Sequence, residues 1–187
     1  MCGIAGQISL NNIPISGLNR TLSVMSRLIS HRGPDGEGQW QNDNDQVGMV
    51  HRRLSIIDLT RAAAQPMKAE NGNVITYNGE IYNYLEVRSS LKNKWNFQTH
   101  SDTECVLAVY EQHGTTCLDN MRGMFAFGLW DEKRQRLFCA RDRFGIKPFY
   151  YSIVNGVFYF ASEAKALLPF LKEIKTDESA LAEYLTF

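Results

Sequence analysis

A chain of 187 residues is long enough to enclose one well-filled core and short for two. Its 20 basic and 20 acidic side chains cancel, which removes any general electrostatic case for nucleic acid or an anionic membrane surface. No apolar run reaches the length of a transmembrane helix and the start lacks a signal-peptide pattern, so the chain reads as cytoplasmic, with no membrane partner.

Residues 2–10, CGIAGQISL, read as a strand closed by a turn at Asn11, Asn12 and Pro14. Leu18, Leu22, Met25, Leu28 and Ile29 recur at helical spacing, with Ser16 as the N-cap. HRGPDGEG, residues 31–38, is rich in glycine and reads as a specially shaped loop. Strand-like runs follow at 46–51, 54–59 and 73–78, then helical patterns at 82–94 and 103–113. Closely spaced aromatic strands occupy 123–131, 136–142, 148–153 and 157–162, and helical patterns at 162–171 and 176–185 close the chain. Antiparallel strand sets separated by helices predict an α+β layered domain and no βαβ alternation.

Four cysteines, Cys2, Cys105, Cys117 and Cys139, match no CxxC or Cys/His metal pattern, so reduced thiols and no metal are expected. Cys105 and Cys139 fall in apolar positions and read as core. Cys2 is a small hydrophobe heading a strand on one reading. On the other, removal of Met1 leaves a residue with both a nucleophile and a free α-amine.

Three stretches could serve such a thiol. In YNGEIYNY, Asn78-Gly79 is a common hairpin turn, yet here it follows a strand and precedes a helix, where an amide and a glycine N–H would suit an oxyanion hole. In HRRLSIID, Arg52 and Arg53 project to opposite faces of a strand, so one guanidinium can turn inward and grip a carboxylate. In HSDTE, Ser101 or Asp102 is a helix N-cap, or else Asp102 receives an ammonium group.

Together with MCGIAG, HRGPDGEG, QPM, GMFAFGLWD, ARDRFGIKPFYY and FASEAKALL, these stretches resemble the class II glutamine amidotransferases, over the whole chain and in the family's order. The likeness is strongest to the amidotransferase domain of glutamine-dependent asparagine synthetases. It implies an N-terminal-nucleophile hydrolase fold, a four-layer αββα sandwich of two mainly antiparallel sheets flanked by helices, over residues 1–187. The resemblance makes Cys2 the nucleophile and Asn78 and Gly79 the oxyanion hole. Arg53 is similar to the family's binder of the substrate α-carboxylate and Asp102 to the partner of its α-ammonium. Leu54, Ser55, Ile56, Ile57 and Glu80 would line the pocket.

The implied activity is hydrolysis of L-glutamine to glutamate and ammonia through a thioester, feeding amide formation. That half-reaction calls for no cofactor or metal. ATP and magnesium belong to a synthetase domain, which this chain lacks and which would be its partner, in the same chain or a separate one. A homodimer is compatible with the resemblance. Retention of Met1 would instead leave a silent regulatory or docking module, and a lipid-bearing or redox role for Cys2 lacks a supporting motif.

Overall fold

The computed structural model describes residues 1–186. Its first sheet has five strands, β1 (Gly3–Ser9), β2 (Gly36–Gln41), β3 (Val47–Arg53), β8 (Tyr150–Val154) and β9 (Val157–Ala161), in the order β2-β3-β1-β9-β8. The second has four, β4 (Met67–Lys68), β5 (Val74–Ile81), β6 (Gly123–Asp131) and β7 (Arg136–Arg141), in sequence order. Every strand pair is antiparallel, and β1 lies at the centre of its sheet between β3 and β9. The helices are α1 (Leu18–Leu28), α2 (Tyr84–Ser90), α3 (Asp102–His113) and α4 (Glu178–Leu185).

The two-residue alternation of strand side chains assigns each face its layer. Ala5 and Val50 point outward and pack with Leu18, Leu22 and Met25 of α1. Ile4, Val47 and Met49 point the other way and meet Val74, Ala126 and Trp130 of the second sheet around Phe160. Ile75, Tyr77, Phe125, Phe127 and Leu129 form the far face, covered by Val106, Leu107, Val109 and Tyr110 of α3. The order helix, sheet, sheet, helix is the expected four-layer sandwich, and each fully buried Leu or Met contributes about 1.5–3 kcal/mol.

Several local expectations are corrected. The N-cap of α1 is Gly17, whose φ of 70° is left-handed, and not Ser16. The glycine-rich segment holds a 3-10 turn at Ser30–Arg32 and then enters β2, a strand absent from the sequence reading because Gly36 and Gly38 mask its alternation. Residues 54–59 form no strand: Ile56 and Leu59 are 72% and 74% exposed, and the segment is a loop tied down by polar contacts. The segment 82–94 is helical only over Tyr84–Ser90. Residues 162–171 form two 3-10 turns, Ala164–Ala166 and Leu168–Phe170, because Pro169 has no N–H with which to continue an α-helix. Ser101 is the cap of α3, accepting from the Thr103 N–H.

Candidate active site

Cys2 stands one residue before the central strand, and its Sγ lies 3.4 Å from the Leu54 nitrogen and 3.5 Å from the Leu54 carbonyl oxygen. Burial pushes the thiol up from its ordinary value, opposed by the Leu54 contact, the chain's amino-terminal charge and Arg53. The resting group is therefore a thiol that needs a base before it can attack.

A cavity of ≈ 90 Å³ opens beside it. Its wall contains every residue to which the resemblance gave a role: Cys2, Arg53, the Leu54–Ile57 loop, Asn78, Gly79, Glu80 and Asp102. Met1 lines the same cavity, with its Sδ 3.2 Å from Lys147 Nζ. Two larger clefts, ≈ 650 and ≈ 430 Å³, lie around Trp95 and contain none of these groups.

Asn78 and Gly79 do not form a turn. Both lie within β5, opposite Ala126 and Phe125 of β6. The consequence is a row of donors along the free edge of the strand. In antiparallel pairing alternate amides point away from the partner strand. Here the Tyr77 N–H goes to Gln65 Oε1 at 2.7 Å and the Ile81 N–H to Asp102 Oδ2 at 3.0 Å, leaving the Gly79 N–H between them to face the cavity. Asn78 Nδ2 is buried and has no hydrogen-bond partner. Two donors thus converge unpaired on one space, an arrangement that costs stability unless something with negative charge comes to occupy it. Gly79 must be glycine, since a Cβ would lie 2.5 Å from the Met124 carbonyl oxygen and 2.8 Å from Phe125 Cα.

The paired arginines divide as their alternation requires. Arg52 turns toward α1, donating from Nε to Ser26 Oγ (2.9 Å) and pairing with Glu37 (2.5 Å). Arg53 turns to the cavity side and donates from Nη1 to the Thr60 carbonyl (2.9 Å) and from Nη2 to the Asp58 carbonyl. Asp58 in turn accepts from Thr60 N–H (2.8 Å), Thr60 Oγ1 (2.7 Å) and His100 N–H (2.9 Å), which hold its carboxyl below the ordinary value. The loop 54–60 is therefore held at Asp58 and Thr60 where it backs the cavity.

Asp102, in the first turn of α3, is 4% exposed. Its Oδ2 accepts from the Tyr77 hydroxyl (2.7 Å) and the Ile81 N–H (3.0 Å). Burial raises its pKa more than these hydrogen bonds lower it, so the carboxylate gains by receiving a cation. Gln65, Tyr77, Met124 and Lys147 also line the cavity and were not singled out from the sequence. Gln65 carried a signal, the QPM stretch, but nothing in its neighbours shows that its side chain caps β5.

Among the described residues, no group of three or more His, Cys, Asp or Glu is placed to hold a metal ion, and no helix is long and apolar enough to cross a membrane. The cavity offers a thiol, two unpaired donors, a guanidinium and a carboxylate. That set matches attack on a carbonyl in a small molecule bearing both a positive and a negative charge.

Comparison with known proteins agrees. A family model described as a glutamine amidotransferase domain matches residues 1–187. The chain is 40% identical over 190 residues to asparagine synthetase [glutamine-hydrolyzing] 1 of Bacillus subtilis, covering 100% of this chain and 30% of the relative. It is 40% identical over 177 residues to asparagine synthetase B [glutamine-hydrolyzing] of Escherichia coli, covering 94% and 31%. Amidase chry2 of Gibberella zeae is 45% identical over 179 residues, covering 91% and 27%. The chain thus spans 27–31% of the length of these relatives. Glutamine phosphoribosylpyrophosphate amidotransferase of B. subtilis shares the fold, with a TM-score of 0.73 at 19% identity over 89% of this chain and 43% of that one.

Proposed function

The chain belongs to the glutamine amidotransferase domain family, and on that premise we propose that it hydrolyses L-glutamine to glutamate and ammonia with Cys2 as the nucleophile. The observation that carries this reading is the unpaired, buried Asn78 Nδ2 in the wall of the cavity that holds Cys2.

In this mechanism removal of Met1 frees the Cys2 α-amine, whose ordinary pKa near 7.7–8.0 suits a general base acting through a water. The amine takes the thiol proton and Sγ attacks the side-chain amide carbon of glutamine, forming the C–S bond. Asn78 Nδ2 and the Gly79 N–H receive the negative charge that develops on oxygen. The α-ammonium returns the proton to the departing nitrogen, the C–N bond breaks, and ammonia leaves. Water activated by the same amine then cleaves the γ-glutamyl thioester. Arg53 reads the substrate α-carboxylate and Asp102 its α-ammonium, while Leu54 to Ile57 and Glu80 set the depth of the pocket.

The relatives' names and lengths support a larger setting: a synthetase domain, joined to this one or separate, that uses the ammonia with ATP and magnesium. Aspartate is the favoured acceptor. Residues 1–187 act in this reading as one amidotransferase domain. The alternative, a silent module, requires Met1 to stay, where it would block the amine. The test joins intact-mass analysis to a glutaminase assay. A chain beginning at Cys2 that hydrolyses glutamine, with Cys2→Ala folded and inert, is expected; undiminished hydrolysis by Cys2→Ala overturns the proposal.

A further inference from the structure

The segment after β9 reaches back to the first residues of the chain. The Ser162 N–H donates to the Ile4 carbonyl (2.8 Å) and Ser162 Oγ accepts from the Ile4 N–H (3.0 Å), so a single residue closes both main-chain groups of Ile4. The next residue, Glu163, acts one step closer to the thiol. Its Oε1 receives Arg32 Nη1 at 3.0 Å, and Arg32 Nε donates to the Cys2 carbonyl oxygen at 2.9 Å. His31 Nε2 lies 2.8 Å from Oε1, and Lys165 Nζ lies 2.9 Å from Oε2. Three cationic or protonatable groups from two segments thus hold one carboxylate, and the Arg32 side chain between them is only 10% exposed. Burial by itself would raise the Glu163 carboxyl, but Lys165, Arg32 and His31 outweigh it and bring it down to about 2.

Position 2 explains why this matters. With Met1 gone, no peptide bond holds the residue on its amino side, and its carbonyl is a main-chain group by which the fold still orients it. Holding that carbonyl holds the Cys2–Gly3 peptide plane and with it the position of Cα, and the contacts of Sγ with Leu54 then set the turn about Cα–C that aims the α-nitrogen and the Cα–Cβ bond. Resting on the glutaminase reading, we infer that Glu163 is a positioning residue for Cys2: through Arg32 it holds the Cys2 carbonyl, and so aims the thiol and the α-amine at the substrate. Such a device acts on the chemical step and leaves substrate affinity alone, because Arg53 and Asp102, which read the substrate's charges, are not part of it.

The experiment compares wild type, Glu163→Gln and Arg32→Lys, each starting at Cys2, by glutaminase kinetics and by the carbonyl ¹³C shift of cysteine-labelled protein. Glu163→Gln is expected to lower kcat about tenfold or more, as misplacement of a reacting group does. KM should stay within about twofold and the Cys2 carbonyl signal should move. A kcat within twofold of wild type, a loss carried by KM, or an unmoved carbonyl signal overturns the inference. Should Glu163→Gln fail to fold, Arg32→Lys, which keeps an ion pair but loses the Nε donor, decides by the same criteria. A wild type with no glutaminase activity would sink the proposed function, while the carbonyl signal would still decide the Glu163 link.

Discussion

The Tyr77 hydroxyl donates to Asp102 Oδ2 at 2.7 Å, joining the middle of strand β5 to the first turn of α3 in the wall of the cavity. This bond and the Ile81 N–H favour the ionised carboxyl against the burial that raises it. Tyr77→Phe removes one of the two, so the Asp102 pKa climbs further. Because Asp102 must be ionised to take an ammonium, glutamine affinity is present above its pKa and lost as pH falls through it. The expected outcome is a KM raised about tenfold or more, the loss of a charged hydrogen bond of about 1.5–3 kcal/mol. The acid limb of kcat/KM should move to higher pH than in wild type. Steady-state kinetics across pH 4–8 check both.

Asn78→Ala separates catalysis from folding. The Nδ2 has no partner in the protein, so its removal forfeits no internal hydrogen bond there. kcat should fall about 10²–10³-fold, as for loss of one oxyanion donor, while the thermal midpoint stays near that of wild type. A large loss of stability with little loss of kcat would argue against the assigned role.

Gly79→Ala behaves in the opposite way. The added methyl would meet the Met124 carbonyl and Phe125 Cα, both backbone atoms of the paired strand. Separating β5 from β6 is expected to cost about 1–3 kcal/mol, as overpacking does, lowering the thermal midpoint together with activity. Calorimetry beside a glutaminase assay reads the two losses.

His51 predicts an acid sensitivity. It is fully buried beside the Tyr77 carbonyl (3.1 Å from Nε2), and desolvation, aided by Arg53 and opposed by that hydrogen bond, brings its pKa from 6.5 down to about 3. The unfolded chain takes up a proton below pH 6.5 that the folded chain refuses. This contribution to stability is therefore complete above about pH 6.5 and declines as pH falls toward 3, at up to about 1.4 kcal/mol per pH unit. Urea midpoints at pH 7.5 and 5.0 should differ more in wild type than in His51→Asn.

Much of this was legible in order and little in geometry. Alternating apolar runs placed β1, β3, β6, β7 and β9 correctly, because the two-residue period survives wherever one face is buried. It failed at β2, where glycines blank alternate positions, and at 54–59, where the apolar residues Ile56 and Leu59 face outward from a loop held by Asp58 and Arg53. The residue pair Asn78-Gly79 reads as a turn in the sequence and lies within a strand in the structure. Two-residue turn statistics describe a hairpin, whereas β6, forty-odd residues downstream, recruits the pair into a strand.

By itself the sequence determined which groups are available: a thiol next to the start, an Asn-Gly pair, two adjacent arginines and an aspartate at the head of a helix, in a pattern that names the family. Those are matters of residue identity and local period, which the chain carries at every point. Only the tertiary structure decided which of their hydrogen-bonding groups stay free. Gln65 and Asp102 take the amides on either side of Gly79 and leave that one open, and Glu163 reaches across from the end of β9 to hold Arg32 against Cys2. Pairings over such distances depend on how two sheets stack, and no local pattern encodes them.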